Sequence, residues 1–308
     1  MKGKPIIEAV DLTKKFGNFT AVDKITFSIE EGNVVGFIGA NGAGKTTTIK
    51  MMCGLVRPTA GSVRVDGRDV GSNPSAIRQL IGYMSQKFSL YGDLTVRENI
   101  EFYGGIYNLS GEEFKKRYEW VINAADLNGK ESLLTRDLPL GWRQRLALGC
   151  AVLHRPRIVF LDEPTSGVDP ILRSRFWQLI GDLSREGATI IVTTHYLDEA
   201  EFCESVIMMH AGKIVVHGSP AEIRARYSNL PLFEVTCKSP EKVLSILEGE
   251  KWISEATIIG DKVHIYGNTD DCEERLSKLL AKACHDDFLI QKTNPTLEDV
   301  FIKVTRFS

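Results

Sequence analysis

The residues best suited to chemistry lie within 34–48, VVGFIGANGAGKTTT, where an apolar run meets a glycine-rich turn and then a lysine and three threonines. Gly39, Gly44, Lys45 and Thr46 stand at the four fixed places of G-x-x-x-x-G-K-[ST], between an expected strand and an expected helix, as that motif requires. Gly39, Gly42 and Gly44 lack a Cβ, so backbone N–H groups can turn inward and phosphate oxygens can come close. A helix starting near Lys45 points its unpaired N–H groups and the positive end of its dipole at the same anion. The pattern reads as a triphosphate cradle in which Lys45 reaches the β and γ phosphates and the Thr46 hydroxyl ligates Mg²⁺. The plainer reading, a glycine-rich turn with no ligand, is outweighed by the flanking elements.

Three further stretches bring polar groups to strand ends. RIVFLDEPTSGVDP is an apolar strand closing on Asp162 and Glu163. Two carboxylates there are costly unless a cation or a hydrogen-bonding role offsets them. Beside a cradle, Asp162 would hold Mg²⁺ through water and Glu163 would polarise the attacking water as general base, a role worth roughly 10²–10⁴-fold. ATIIVTTHYLDEAE delivers His195 to the polar end of another apolar strand, within plausible reach of a γ-phosphate. IGYMSQ ends on Gln86, whose amide is either a solvated loop group or a movable Mg²⁺ or water ligand. The residue types leave both open. Phe16, at the turn KKFGN, is either a surface aromatic or a platform on which adenine stacks, with Phe19 as its competitor.

These groups need elements to position them. Residues 6–29 alternate apolar and polar positions in two strands around Gly17-Asn18, and GSVRVDGRDV is a hairpin turning at Asp66-Gly67 with Val63 and Val65 on one side. From 95 to about 134 the pattern turns helical: Thr95 with Glu98 and Ser110 with Glu113 fit capping boxes, and Ile100, Tyr103 and Ile106 follow at helical spacing. This insertion carries no catalytic constellation, so packing and partner contact are its expected roles. Phe88, Leu90 and Tyr91 before it form an apolar cluster, either a buried loop or a docking surface. LPLGWRQRLALGCAVLHRP is a turn running into a helix with Leu146, Cys150 and Leu153 on one face. SVIMMHAGKIVVHG turns at Ala211-Gly212, and a helix over 220–227 closes the first domain. Beyond about 230 the order β-α-β-β-α-β suits a small ferredoxin-like layer, followed by a short helix in NPTLEDVFIKV. Lacking any catalytic group, this part reads as a regulatory or dimerisation appendage.

Composition bounds the function. The chain has 308 residues, 43% hydrophobic and 25% charged, long enough for one large domain and a smaller one, and its net charge of -2 argues against nucleic acid as main partner. No apolar run reaches the roughly 18 residues that span a bilayer, and MKGKPIIEAV lacks the apolar core of a signal peptide, so the chain is expected to stay in the cytosol. Its 6 cysteines are scattered without a C-x-x-C pair and read as reduced thiols, and its 6 histidines show no metal-ligand spacing.

GANGAGKTT at Gly39, Gln86 in IGYMSQ, IVFLDEPTSGVDP ending at Pro170 and His195 in TTH, in that order, resemble the nucleotide-binding subunit of an ATP-binding cassette (ABC) transporter over about the first 225 residues. The resemblance implies an α/β P-loop NTPase cassette, with a mixed sheet core, an antiparallel subdomain and a helical insertion over about 88–150. The cassette would span 1–228, with a small α+β accessory domain over 229–308. It further implies ATP and Mg²⁺ as cofactors, with Asn41, Gly42, Ala43, Gly44, Lys45, Thr46 and Thr47 around the phosphates. Phe16 would be the adenine-stacking aromatic. Gln86 would be a lid glutamine facing the membrane partner and serving as a metal ligand with Thr46 and Asp162. Glu163, His195 and Gln86 would be catalytic, and Asp169 would cross a dimer interface. ATP would lie between this cradle and the signature turn of a second cassette, in a homodimer or heterodimer, and the assembly would sit peripherally on the cytoplasmic face of the membrane, driving an integral membrane permease. The tail TLEDVFI resembles that of exporter cassettes that serve a separately encoded permease, as in drug or polysaccharide efflux. The soluble alternatives are a non-transport ABC ATPase or a nucleotide-sensing regulator. One departure stands out: the family signature LSGGQ aligns with Leu138, Pro139, Leu140, Gly141 and Trp142. Only Gly141 and the helix start remain to meet a partner's nucleotide, and Pro139 lacks the serine's hydroxyl and N–H, a loss on the order of 1.5–3 kcal/mol.

Overall fold

The computed structural model describes residues 5–86, 90–228, 230–269, 271–284 and 288–306, so Phe88 lies outside the described residues. Packing divides the chain into two compact units, Met1–Ser219 and Pro220–Ser308. The division falls earlier than the expected 228/229 because the helix Pro220–Tyr227 packs on the final helix, Leu297–Arg306, and so goes with the second unit.

The first unit opens with β1 (Pro5–Phe16) and β2 (Phe19–Glu30), which pair antiparallel across the turn at Gly17-Asn18. β3 (Val34–Ile38), buried at every position, leads into α1 (Lys45–Met52). β4 (Ala60–Val65) and β5 (Arg68–Asp69) turn at Asp66 (φ 50) and Gly67 (φ 73), the left-handed pair that a two-residue hairpin requires. α2 (Pro74–Leu80), capped by Asn73, precedes β6 (Ile81–Met84). The helical insertion is α3 (Val96–Ile106), α4 (Gly111–Ala124) and α5 (Leu140–Ala151). Then come β7 (Ile158–Asp162), α6 (Pro170–Arg185), β8 (Thr189–Thr194), β9 (Ser205–His210) and β10 (Lys213–Gly218).

Two sheets result. The antiparallel one runs β2-β1-β4-β5 and the mixed one β10-β9-β3-β8-β7-β6. In the second, β9, β3, β8, β7 and β6 are parallel and only β10 is reversed. β3, β7 and β8 are buried at every position, and their apolar runs, 34–38, 158–161 and 190–192, face apolar layers on both sides, as strands of a covered parallel sheet do. Ile7, Leu12, Phe27, Phe37, Ile49, Met51 and Phe160 share one core that unites the two sheets with α1, and Phe27 meets Phe37 edge to face at 5.3 Å.

The insertion has its own core, with Val96, Ile100, Val121, Leu146, Cys150 and Leu153 packed together. The box at Thr95 forms: Glu98 accepts the Thr95 N–H at 2.8 Å and Thr95 Oγ1 accepts the Glu98 N–H at 3.2 Å. The box at Ser110 does not form, because Gly111 directly after it is left-handed (φ 59) and turns the backbone away from the capping geometry.

The second unit comprises α7 (Pro220–Tyr227), β11 (Leu232–Cys237), α8 (Pro240–Leu247), β12 (Ile253–Ile259), β13 (Lys262–Gly267), α9 (Cys272–Cys284), β14 (Phe288–Thr293) and α10 (Leu297–Arg306). Its sheet is antiparallel throughout, in the order β12-β13-β11-β14. Phe233, Val235, Val263 and Ile265 pack with Val243, Leu247, Leu276 and Leu280 in a core of their own. Among the described residues no helix is long and apolar enough to cross a membrane.

Candidate active site

The parallel strands fix where the polar groups gather. Ile38 pairs with Thr194, Asp162 with Thr193 and Met84 with Leu161, so β3, β8, β7 and β6 end together along one edge. The turn after β3, the Asp162-Glu163 pair, His195 and Gln86 therefore emerge side by side, at the carboxyl edge where open α/β sheets hold their ligands.

The turn after β3 is a tight backbone ring. Gly44, the residue before α1, has φ 105, and a Cβ on it would lie 2.6 Å from the Ala21 carbonyl oxygen. A Cβ on Gly39 would lie 2.2 Å from Met209 O, so neither position tolerates a side chain. Lys45 folds back into this ring, its Nζ donating to Gly39 O at 2.7 Å and Ala40 O at 3.1 Å and standing 3.6 Å from Glu163 Oε1. Burial lowers the Lys45 pKa against the opposing pull of Glu163 and Asp162.

The carboxylates are held differently. Asp162 is 1% exposed, and its Oδ1 accepts the hydroxyls of Thr46 (2.8 Å) and Thr193 (2.7 Å). Its Oδ2 is buried with no hydrogen-bond partner. Burial raises the Asp162 pKa, and the two hydroxyls oppose the rise. Glu163 follows with φ 49, in the left-handed region that costs a non-glycine residue about 1–3 kcal/mol. Its Oε2 accepts the Gln86 amide at 3.0 Å and lies 3.5 Å from His195 Nδ1, an approach rather than a hydrogen bond.

A cavity of about 290 Å³ opens over this cluster, lined by Asn41, Gly42, Ala43, Gly44, Lys45, Thr46 and Thr47 together with Gln86, Glu163, Phe16 and Phe19. Both rings are exposed, and Lys14 Nζ sits 5.0 Å over the Phe16 ring without lining the cavity. Gly39, Asp162 and His195 support the cluster without lining the cavity. Gly141 stands apart, buried in the first turn of α5, where a Cβ would lie 2.6 Å from Leu172 Cδ1. Pro139 occupies the cap position of α5 and supplies no side-chain bond to it. Asp169 caps α6, its Oδ1 accepting the N–H groups of Ile171 (3.1 Å) and Leu172 (3.0 Å).

The residues fit a hard divalent cation. The orphaned Asp162 Oδ2, the Thr46 hydroxyl beside it and the nearby Gln86 amide are oxygen donors of the kind Mg²⁺ prefers. Sequence reasoning passed over Thr193 and Glu199. Both are polar residues amid apolar or helical runs with no motif to mark them, and only their burial in the fold sets them apart.

Comparison with known proteins gives the same direction. Residues 22–166 match the model of the family described as ABC transporter. Over 227 residues the chain is 47% identical to the probable multidrug ABC transporter ATP-binding protein YbhF of Escherichia coli (strain K12), covering 74% of this chain and 39% of that protein. The chain thus spans about two-fifths of that relative's length. Over 305 residues it is 30% identical to the linearmycin resistance ATP-binding protein LnrL of Bacillus subtilis (strain 168), covering 97% of this chain and 98% of the relative. Among solved structures, a dimeric ATP-binding cassette in a post-hydrolysis state with ADP and Pi matches with a TM-score of 0.64 and 29% identity, covering 69% of this chain and 98% of that one.

Proposed function

This chain belongs to the ATP-binding proteins of ABC transporters, and we propose that it binds and hydrolyses ATP to drive export through a separate membrane permease. The observation that carries the reading is the convergence of Lys45, Thr46, Asp162, Glu163 and Gln86 at one sheet edge, around a backbone ring that two missing Cβ atoms keep open.

In this reading the triphosphate lies along the N–H groups of residues 41–47. Its oxygens compete with Gly39, Ala40 and Glu163 for the Lys45 ammonium, drawing the lysine off the carboxylate. Thr46, Asp162 and Gln86 would hold Mg²⁺, which when bound neutralises charge on the phosphate oxygens. Glu163 accepts the proton of a water attacking the γ-phosphorus. The bond from that phosphorus to the bridging oxygen breaks, and its electron pair leaves with ADP. His195, beside Glu163, contacts the γ-phosphate, and Phe16 stacks on the base.

A second cassette supplies the opposing face of the nucleotide, through the turn at Gly141 and the α6 start at Asp169. The permease engages the insertion near Gln86, and the subunit rides peripherally on the cytoplasmic face of the membrane. The relatives' printed names, multidrug and linearmycin resistance among them, support small-molecule efflux as the transport class. Pro139 at the signature leaves two assemblies: a homodimer with two weakened signatures and slow turnover, or a heterodimer in which this cradle meets a partner's serine-bearing turn.

The test is Glu163→Gln in the purified full chain. Loss of ATP turnover with retained ATP binding and a longer-lived ATP-bound dimer supports the reading. Unimpaired turnover removes Glu163 from the mechanism, and failure of the wild-type chain to bind Mg-ATP removes the function.

A further inference from the structure

Glu163 is an unusual base in that its backbone is strained. A left-handed φ of 49 at a non-glycine residue persists only where its surroundings over-determine it, and the contacts that do so can be traced. The Glu163 N–H is shared between two acceptors of one residue, Thr193 Oγ1 at 2.9 Å and Thr193 O at 3.1 Å. The same hydroxyl donates its own proton to Asp162 Oδ1 at 2.7 Å. Thr193 is 0% exposed, so no water substitutes for either bond. We propose that Thr193 is a positioning residue for hydrolysis, its one hydroxyl setting the Asp162 carboxylate and the Glu163 backbone in register with each other. The proposal rests on the reading of Glu163 as base.

The hydroxyl is suited to this because it donates once and accepts at the same time. Its donation fixes which Asp162 oxygen is engaged, leaving Oδ2 without a partner. Its acceptance orients the peptide between the two carboxylates, and so the direction in which Glu163 leaves the strand. A valine of similar shape would keep the main-chain bond from Glu163 N–H to the carbonyl of residue 193, and Asp162 would keep Thr46. The far side of the turn is anchored separately: Thr165 Oγ1 donates to the buried Glu199 at 2.6 Å, and Ser166 N–H donates to Glu163 O at 3.3 Å. Loss of the Thr193 hydroxyl therefore loosens the base without unravelling the turn. A displacement of about 1 Å at such a group lowers rate by up to about 10²-fold.

The experiment compares Thr193→Val, Thr193→Ala and Thr193→Ser in the full chain, with Glu163→Gln alongside. Basal ATPase kinetics, ATP affinity by calorimetry and the thermal melting midpoint are measured for each. Both hydroxyl-free variants are expected to lose kcat by about 10- to 100-fold while KM and the ATP Kd stay within about twofold, and Thr193→Ser is expected to recover most of the rate. Wild-type kcat in either hydroxyl-free variant overturns the proposal, as does a joint loss of kcat and ATP affinity that serine does not rescue. Those outcomes leave Glu163 as base untouched, whereas full turnover in Glu163→Gln sinks the reading beneath it and the proposal with it.

Discussion

At the scale of single residues, Lys45 is the most exposed to test, because its ammonium already sits among acceptors that a phosphate must outcompete. It bonds two carbonyls and faces Glu163 in a buried setting that lowers its pKa, so anionic oxygens gain a donor that burial has left poorly solvated. Lys45→Met is expected to weaken ATP binding by roughly 10- to 100-fold, the worth of one or two charge-assisted hydrogen bonds, measured by calorimetry. Wild-type affinity would contradict the cradle. The two aromatics make a second test. Phe16 and Phe19 line the same cavity, yet Lys14 covers only Phe16. If Phe16 is the platform, Phe16→Ala raises the Kd for ATP by the 1–3 kcal/mol that base stacking is worth, roughly 5- to 150-fold, and Phe19→Ala does markedly less. A larger loss in Phe19→Ala would exchange their roles. The sequence made these residues visible because phosphate chemistry demands particular types at particular spacings. Thr193 was invisible, since a threonine in a β-branched strand run is what a buried strand contains anyway.

At the scale of elements, most strands and helices were legible from period and turn chemistry. The Asp66-Gly67 hairpin follows from its turn residues, and β11 to β14 stand where the order β-α-β-β-α-β puts them. The sequence could not say which polar group holds an element together from inside. Asn99 looks like one more surface residue of α3, yet it is 0% exposed, accepts the Tyr91 N–H at 2.9 Å and donates to Tyr91 O (2.9 Å) and Thr135 Oγ1 (2.9 Å). It ties the chain entering the insertion to the 3-10 turn Thr135–Asp137 between α4 and α5. Asn99→Ala orphans several of these buried groups and should destabilise the first unit by about 2–3 kcal/mol in denaturant titration. An effect below about 0.5 kcal/mol would mean that water replaces the amide, as at ordinary surface positions. At the head of α5, Pro139→Ser restores a capping hydroxyl. It should stabilise that helix by about 1 kcal/mol and raise turnover of the assembled transporter. Unchanged turnover would mean that the lost contact does not limit the rate.

At the scale of the whole molecule, two units with separate cores should answer to different signals, and this can be measured in one scanning experiment. The candidate site lies wholly in the first unit. Mg-ATP at about 100 times its Kd should therefore raise the stability of that unit by about 2.7 kcal/mol and move its calorimetric transition alone. The second unit is expected to answer to pH through His264, which is 3% exposed on β13. Its Nδ1 lies 2.7 Å from Asp299 Oδ1 on α10, and its Nε2 lies 3.4 Å from Oε2 of Glu234 on β11, whose Oε1 takes Lys262 at 2.7 Å. Burial alone would lower the His264 pKa, but Asp299 and Glu234 outweigh it and the pKa is raised. Burial would raise that of Asp299, but His264 and Thr296 outweigh it and the pKa is lowered. A raised histidine pKa contributes stability that is whole below its unfolded value, about 6.5, and is lost as pH climbs through the folded one. A depressed aspartate pKa contributes stability that is whole above about 3.9 and is lost as pH falls. The second transition should therefore be highest between about pH 4 and 6.5 and decline toward alkaline pH. Asp299→Ala removes the ion pair together with the cap it gives Thr296, at a cost on the order of 3 kcal/mol, and should flatten that decline. A single transition that shifts equally with nucleotide and with pH would show that the two cores melt as one, and a second transition indifferent to pH would show that His264 keeps the same protonation in both states.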